Sequence, residues 1–236
     1  MKKLQLSILL SMLCLTACHT HFAHHYKTSN YLPIQNIATT HKRKPMELVT
    51  IEMPHHDVLR TRAKEIKFPI NSTTQQFIQD LREFFYALKS PLGKPAGLAA
   101  PQVGLSARII IIQIPAEAKK IRKDVYDILP PTVWINPSYT PLDNDDTNKD
   151  WEGCYSVSNK MGEVYRYKTI KYEAYTPEGN KVTGIAKGFL ARLIQHEVGH
   201  LNGELYIDRL CSDCRYGALD KMMEIRKSEM EQSKSR

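Results

Sequence analysis

The clearest periodic pattern of apolar and polar positions lies in residues 71–90, NSTTQQFIQDLREFFYALKS. Its large apolar side chains recur every three or four residues, which is the spacing of one face of an α-helix. They are Phe77, Leu81, Phe84, Phe85 and Leu88. Ser72 and Gln75 have the spacing of a capping box. The pattern therefore predicts an amphipathic helix capped at Ser72.

Shorter apolar runs downstream predict β-strands. The segments ARIIIIQIP (107–115) and TVWIN (132–136) each predict one strand, and residues 164–186 predict two strands joined by a turn at PEGN. The acidic segment 141–150 predicts a loop. Helices are predicted at about 188–201 and near the C-terminus. Because the strands precede the main helix instead of alternating with helices, the order favours an α+β fold.

The N-terminal residues follow a different pattern. Two lysines precede the short apolar run LQLSILLSMLCL, and LTAC follows at positions 15–18. This order is typical of an export signal and is too short for a permanent membrane span. LTAC resembles the lipobox of bacterial lipoproteins, which predicts removal of residues 1–17 and a lipid anchor at Cys18. A misjudged start site and an ordinary buried apolar N-terminus stay open.

The remaining chain divides into three predicted parts. Residues 18–47 are polar, rich in histidine and without periodicity, which predicts a flexible tether. Residues 48–212 predict one folded domain, and residues 213–236 a basic C-terminal helix or tail. We expect a monomer. Contact of this tail with a ribosome or an anionic membrane stays open, although a solvated tail is the simpler interpretation.

Composition and charge exclude few classes of protein. The chain has 236 residues, of which 42% are hydrophobic and 25% charged, as in an ordinary globular domain. The formal net charge of +8 is specific neither to nucleic acid nor to a membrane, and we expect no direct binding of nucleic acid. Cys211 and Cys214 form CSDC. No second pair completes four zinc ligands, so a disulfide and two free thiols are the alternatives.

The segment QHEVGH carries candidate chemistry. His196 and His200 are one helical turn apart, so two imidazoles can bind one metal ion. Glu197 lies about 100° around the helix from His196, where it can reach a water at the metal without being a ligand.

A hydrolytic metal site also needs a third protein ligand and one open position. No histidine follows His200, which leaves Glu204 and Glu224 downstream and Cys154 of EGCYS upstream. Cys154 is the best candidate, because a thiolate suits ferrous iron or zinc.

Residues 95–104, PAGLAAPQVG, are rich in small side chains that let a backbone approach closely. The amide of Gln102 could donate to a developing oxyanion. Alone, this segment is more typical of a tight loop with a surface glutamine.

Taken together, GLAAPQVG, EGCYS and QHEVGHLNG resemble the three signature motifs of the peptide deformylase family, in that order. The resemblance covers residues 48–210. It implies an α+β fold with mixed or antiparallel sheets around a central metal-binding helix. It also implies one divalent ion, Fe²⁺ first with Zn²⁺ or Ni²⁺ as replacements, held by Cys154, His196 and His200. The implied reaction is hydrolysis of the N-formyl group from formylmethionyl peptides, which releases formate.

The resemblance also assigns roles to individual residues. Glu197 would act as general base and then as proton donor to the leaving amine. Gln102 and the backbone N–H of Tyr155 would stabilise the oxyanion. Gly97 would admit the peptide backbone as an added strand.

Two positions depart from the family pattern. Pro95 stands where a glycine is usual, and Gly199 replaces the usual aspartate before the second histidine. Neither is a ligand or the base, so we expect an active enzyme.

Other interpretations remain open at this point. Formylated nascent chains arise in the cytoplasm, whereas a lipoprotein faces the periplasm or exterior. The signal would therefore imply released formyl peptides as substrate, and cytoplasmic location is the alternative. An exported zincin-like metallopeptidase would use a carboxylate or third histidine as ligand. A catalytically impaired metal-binding lipoprotein would use four protein ligands with no open position.

Overall fold

The computed structural model describes residues 45–89 and 93–232. The predicted signal 1–17, Cys18 and nearly all of the predicted tether 18–47 lie outside the described residues. Within the described part of the chain, no helix combines the length and the apolar character needed to cross a bilayer.

Residues 45–89 and 93–232 form two antiparallel sheets and four α-helices. The helices are α1 (Ser72–Ala87), α2 (Ala118–Ile121), α3 (Gly188–Leu201) and α4 (Leu219–Gln232). The strands are β1 (Gly97–Ala99), β2 (Ile109–Ile114), β3 (Leu129–Pro141), β4 (Thr147–Cys154), β5 (Val157–Tyr167), β6 (Thr169–Tyr175), β7 (Lys181–Lys187) and β8 (Tyr216–Ala218). One sheet has the order β1-β2-β3-β6-β7 and the other β4-β5-β8. Every pair of these strands is antiparallel, so the predicted α+β class is confirmed with antiparallel sheets.

Strand β2 explains why its sequence is a continuous apolar run. Successive side chains of a strand point to opposite faces. Ile110, Ile112 and Ile114 join the core that contains α3, whereas Ile109 and Ile111 join the core that contains α1. All six residues of β2 are buried because both faces of the strand are covered.

Helix α3 begins and ends where the sequence predicts. Eleven of its 14 residues are buried, so it is covered on nearly all sides. It packs against strands of the five-stranded sheet and against β5 of the other sheet. This position brings its histidines next to the end of β4.

Three predicted local features differ from the structure. The N-cap of α1 is Asn71, whose Oδ1 accepts from the N–H of Thr74 at 2.8 Å, so the predicted cap at Ser72 is one residue late. The predicted loop 141–150 extends only to Asp146, because Thr147–Cys154 pairs with β5. Residues 164–186 contribute to three strands instead of two, because the chain passes from one sheet to the other at Lys168.

The C-terminal segment also differs in detail. Its residues 216–218 form β8, which pairs with β5, and the helix begins only at Leu219. Cys211 and Cys214, which the sequence left undecided, form a disulfide just before β8.

Candidate metal centre

Three side chains from two elements converge at one point. Cys154 ends β4, and His196 and His200 lie one turn apart on α3. The Sγ atom of Cys154 is 3.2 Å from Nε2 of His200, and one potential ligand atom of each residue lies within 4.8 Å of the others. The structure therefore brings together the three predicted ligands.

The donor set fits a divalent metal ion. One thiolate sulfur and two imidazole nitrogens are a combination that zinc and ferrous iron accept, and three protein ligands leave a position for water. The other two candidate ligands lie elsewhere. The carboxylate of Glu204 pairs with Arg209 at 2.6 Å, and Glu224 is exposed on α4.

A buried carboxylate orients the first histidine. Oε2 of Glu152 lies 2.8 Å from Nδ1 of His196, and Glu152 is also held by Arg166 and Arg192. Arg166 makes two hydrogen bonds to it, at 3.0 and 2.8 Å, and Arg192 one at 2.7 Å. Because Glu152 accepts at Nδ1, the Nε2 atom of His196 is left for the metal.

Charge explains the protonation of this network. Burial alone would raise the pKa of Glu152, but the two bonds and the positive charge of Arg166 outweigh it and hold that pKa well below its usual range. Burial alone would lower the pKa of His196, but hydrogen bonds with Cys154 and Glu152 raise it to about 10. The pKa of His200 is lowered well below its usual value, first by burial and then by the charge of His196.

Glu197 lies on the same helix but faces strand β1. Burial raises the pKa of its carboxyl group to about 7. A Cβ atom added at Gly97 would lie only 2.2 Å from Oε1 of Glu197, so the carboxylate occupies the space that the missing side chain leaves. Oε2 of Glu197 is buried and has no hydrogen-bond partner among the described residues. It is therefore available to a proton from a bound molecule.

Gln102 is fixed with its amide nitrogen towards the sulfur of Cys154. Its Oε1 accepts from the backbone N–H of Ala99 at 2.9 Å, while Nε2 donates to Cys154 Sγ at 3.4 Å and to Ser156 Oγ at 3.3 Å. The side chain is only 2% exposed, so the alternative of a surface glutamine is wrong. Its position follows from the 3₁₀ helix Ala100–Val103, which begins directly after β1.

Tyr155 follows Cys154 in the two-residue turn between β4 and β5. It is half-buried and lines the same cleft as the ligands. The turn also directs the backbone N–H of Ser156 towards Cys154 Sγ, at 3.4 Å. The amide nitrogen of Gln102 and the backbone N–H of Ser156 therefore both point towards Cys154 Sγ.

The ligands open into one cleft of about 810 Å³. Its lining includes Gly97, Gln102, Tyr155, His196 and Glu197. Pro95 also lines it, and its carbonyl oxygen accepts from Nε2 of Gln113 at 2.6 Å. Every predicted site residue except the deeply buried His200 thus contributes to one wall or the floor of the cleft, Cys154 included.

Glu152, Arg166 and Arg192 have no role in the site predicted from the sequence. Two spacings could have indicated Glu152 and Arg192. Glu152 is two residues before Cys154, so both side chains lie on the same face of β4. Arg192 is four residues before His196 and shares its helical face. Arg166 lies on the neighbouring strand β5, and its partner becomes apparent only when the chain has folded.

The fold and the candidate ligands Cys154, His196 and His200 are together those expected of a metal-dependent hydrolase. Comparison with known proteins makes the assignment specific. The family profile for polypeptide deformylase matches residues 47–215. The chain belongs to the polypeptide deformylase family, the metal-dependent hydrolases that remove the N-formyl group from peptides.

Individual relatives agree with this assignment. Peptide deformylase 2 of Rickettsia conorii is 41% identical over 191 residues, which cover 79% of this chain and 91% of that protein. Among solved structures, the peptide deformylase of Synechococcus elongatus in complex with actinonin is 32% identical, with a TM-score of 0.57 over 72% of this chain and 82% of that one. The enzyme of Thermotoga maritima is 31% identical, with a TM-score of 0.57 over 71% and 99%.

Proposed function

We propose that the chain hydrolyses formylmethionyl peptides at a metal ion held by Cys154, His196 and His200. One observation carries the proposal. A sulfur and two imidazole nitrogens lie within 4.8 Å of one another, beside a buried carboxylate whose Oε2 has no partner among the described residues. The donor set favours Fe²⁺, with Zn²⁺ or Ni²⁺ as replacements. A bound ion supplies a Lewis acid that lowers the pKa of water and polarises the formyl oxygen.

Glu197 performs the proton transfers in this proposal. Its carboxylate takes a proton from the attacking water and delivers it to the nitrogen of the leaving amine. A pKa of about 7 suits both steps, because the group can accept and release a proton near neutral pH. The missing side chain at Gly97 leaves the space that this carboxylate occupies.

Gln102 and the backbone N–H of Tyr155 stabilise the negative charge that develops on the formyl oxygen. The bond from Ala99 to Gln102 Oε1 supports this role, because it holds the amide nitrogen towards the cleft before substrate binds. Strand β1, beginning at Gly97, offers the edge along which the peptide backbone binds as an added strand.

The direct experiment is formate release from a formyl-Met dipeptide by protein prepared anaerobically. Glu197→Gln keeps the shape of the side chain but cannot accept the proton. We expect it to retain about one metal ion per chain and to lose on the order of 100-fold or more in kcat. Glu204→Gln is the matched control, because the carboxylate of Glu204 pairs with Arg209 outside the site. This variant should retain wild-type activity. Equal activity of the two variants contradicts the role of Glu197.

We also propose that the protein is an exported lipoprotein, anchored to a membrane through Cys18. There it acts on formyl peptides released from cells or ribosomes. LTAC at 15–18 supports it. The disulfide between Cys211 and Cys214 also supports it, because such bonds persist in oxidising compartments. Incorporation of labelled palmitate that is lost in Cys18→Ser is the expected result. Unlabelled, full-length protein in the cytosol contradicts it.

A further inference from the structure

The cleft has an excess of positive charge beyond the metal centre. Seven cationic side chains and three carboxylates line it. The cations are Lys89, Lys94, Lys120, Arg122, Lys160, Arg192 and Arg226. A formyl group and an apolar methionine side chain carry no charge that would require this surplus. The excess therefore concerns another part of the bound molecule.

Two of the three arginines are already engaged. Arg122 makes two bonds to Asp124, at 2.9 and 2.8 Å, and also contacts Asp150. Arg192 is bound to Glu152 and to the backbone of Asn148. Their guanidinium groups are held by the protein itself and are not free to bind a ligand.

Arg226 differs from both. It lies on α4, is half-buried, and has no hydrogen-bond or ion-pair partner among the described residues. Burial lowers the pKa of Arg226, and the charge of the nearby Arg122 adds to the effect, whereas the charges of Asp150 and Asp124 offset part of it. A partly desolvated guanidinium beside other cations gains most from a bidentate anionic partner.

Helix α4 is fixed against the catalytic body at this point. Glu229 accepts from the indole nitrogen of Trp151 at 3.2 Å and pairs with Arg215 at 2.5 Å. Arg215 in turn makes two side-chain bonds to Glu163 of β5, at 2.9 and 2.6 Å. Arg226 is consequently carried on an anchored wall of the cleft and not on a loose tail.

We propose that Arg226 binds a carboxylate of the substrate, so that the enzyme prefers short formyl peptides with a free carboxyl terminus inside the cleft. The inference rests on the proposed deformylase function and deepens it. The cleft volume of about 810 Å³ is that of a small-ligand site and suits a short peptide. A long nascent chain has its carboxyl terminus far from its formyl end, whereas a short released peptide has both ends close together.

The test compares formyl-Met-Ala-Ser as the free acid with the same peptide as its amide. We expect kcat/KM of the wild-type enzyme to be on the order of tenfold higher for the acid, mainly through KM, as one charge-assisted hydrogen bond provides. Arg226→Gln should bring the ratio close to one, and Arg226→Lys should restore part of it. Lys227→Gln is the matched control, since Lys227 is exposed on the same helix and does not line the cleft.

A third peptide, formyl-Met-Ala-Asp amide, separates the two sources of a carboxylate. Its reference is formyl-Met-Ala-Asn amide, which lacks the carboxylate. If the enzyme prefers the Asp peptide and this preference depends on Arg226, the arginine binds a carboxylate of a side chain. That result contradicts the preference for a free carboxyl terminus. Calorimetric Kd values on zinc-loaded protein give the acid-to-amide ratio without turnover. An Arg226-dependent ratio in Kd with no formate release contradicts the proposed function but supports the binding of a terminal carboxylate by Arg226. Equal Kd values for the acid and the amide overturn the inference. So does an acid-to-amide ratio that is unchanged in Arg226→Gln, provided that this variant melts at the wild-type temperature.

Discussion

The Nδ1 atom of His196 lies 2.8 Å from Oε2 of Glu152, and both groups are almost entirely enclosed. The carboxylate that orients this candidate ligand is itself held by two arginines, so the metal site and a buried ionic network share one residue. The stability of the fold and the affinity for metal should therefore change together when Glu152 is altered.

Glu152→Gln should weaken both the ionic network and the metal site. It leaves Arg166 and Arg192 buried without a full counter-charge, which lowers the free energy of unfolding by about 3–5 kcal/mol. It also weakens the orientation of His196, which lowers metal affinity by about 10–100-fold. Urea denaturation of metal-free protein measures the first effect, and chelator competition measures the second.

Glu173→Gln is the matched control for that variant. Glu173 lies on β6 and pairs with Lys181 at 3.3 Å, with both side chains about half exposed. The loss there should be about 0–1 kcal/mol with no change in metal affinity. Similar losses of stability in the two variants contradict the importance of the buried network.

Gly97→Ala should impair catalysis without removing the metal. The added Cβ would lie 2.2 Å from Oε1 of Glu197, so the carboxylate must move away from its present position. A displacement of this size costs on the order of 100-fold in kcat. Steady-state kinetics with metal analysis on the same sample checks it. Undiminished kcat shows that the position of Glu197 does not limit the reaction.

Gly199→Ala should stabilise the protein, in contrast. An added Cβ there meets only ordinary contacts, the nearest at 3.8 Å from the carbonyl oxygen of Glu204. Because glycine inside a helix costs about 1 kcal/mol relative to alanine, the free energy of unfolding should rise by about that amount. Thermal unfolding measures it, and a lower melting temperature would mean that α3 needs glycine at this position.

The disulfide between Cys211 and Cys214 should contribute about 2 kcal/mol, the entropy expected for closing a loop of four residues. The double variant with serine at both positions should lose this amount in urea denaturation of metal-free protein. A phosphine reductant should lower the wild type to the same value and leave the double variant unchanged. A reductant effect of equal size on both proteins assigns the change to another cause.

The sequence predicted those parts of the site that depend on local spacing. His196, Glu197 and His200 follow from one helical turn, and Cys154 follows from the need for a third ligand. The same holds for α3 and β2, whose patterns are continuous over their whole length. Local spacing is retained in the folded chain, which is why α3 and β2 form where the sequence predicts and why the structure brings these side chains together.

The features that the sequence did not predict depend on contacts between distant elements. The change of sheet at Lys168 is marked by no glycine or proline in the sequence, although the chain bends there between β5 and β6. The pairing of Arg166 with Glu152 needs β4 and β5 side by side. Arg226 reaches the cleft only because β8 pairs with β5 and positions α4.

X-ray absorption at the metal edge of the zinc-loaded protein tests the central claim most directly. The account predicts one sulfur at about 2.3 Å and two nitrogens at about 2.0–2.1 Å, with the sulfur contribution lost in Cys154→Ser. A first shell without sulfur in the wild type, or one that is unchanged in Cys154→Ser, contradicts it.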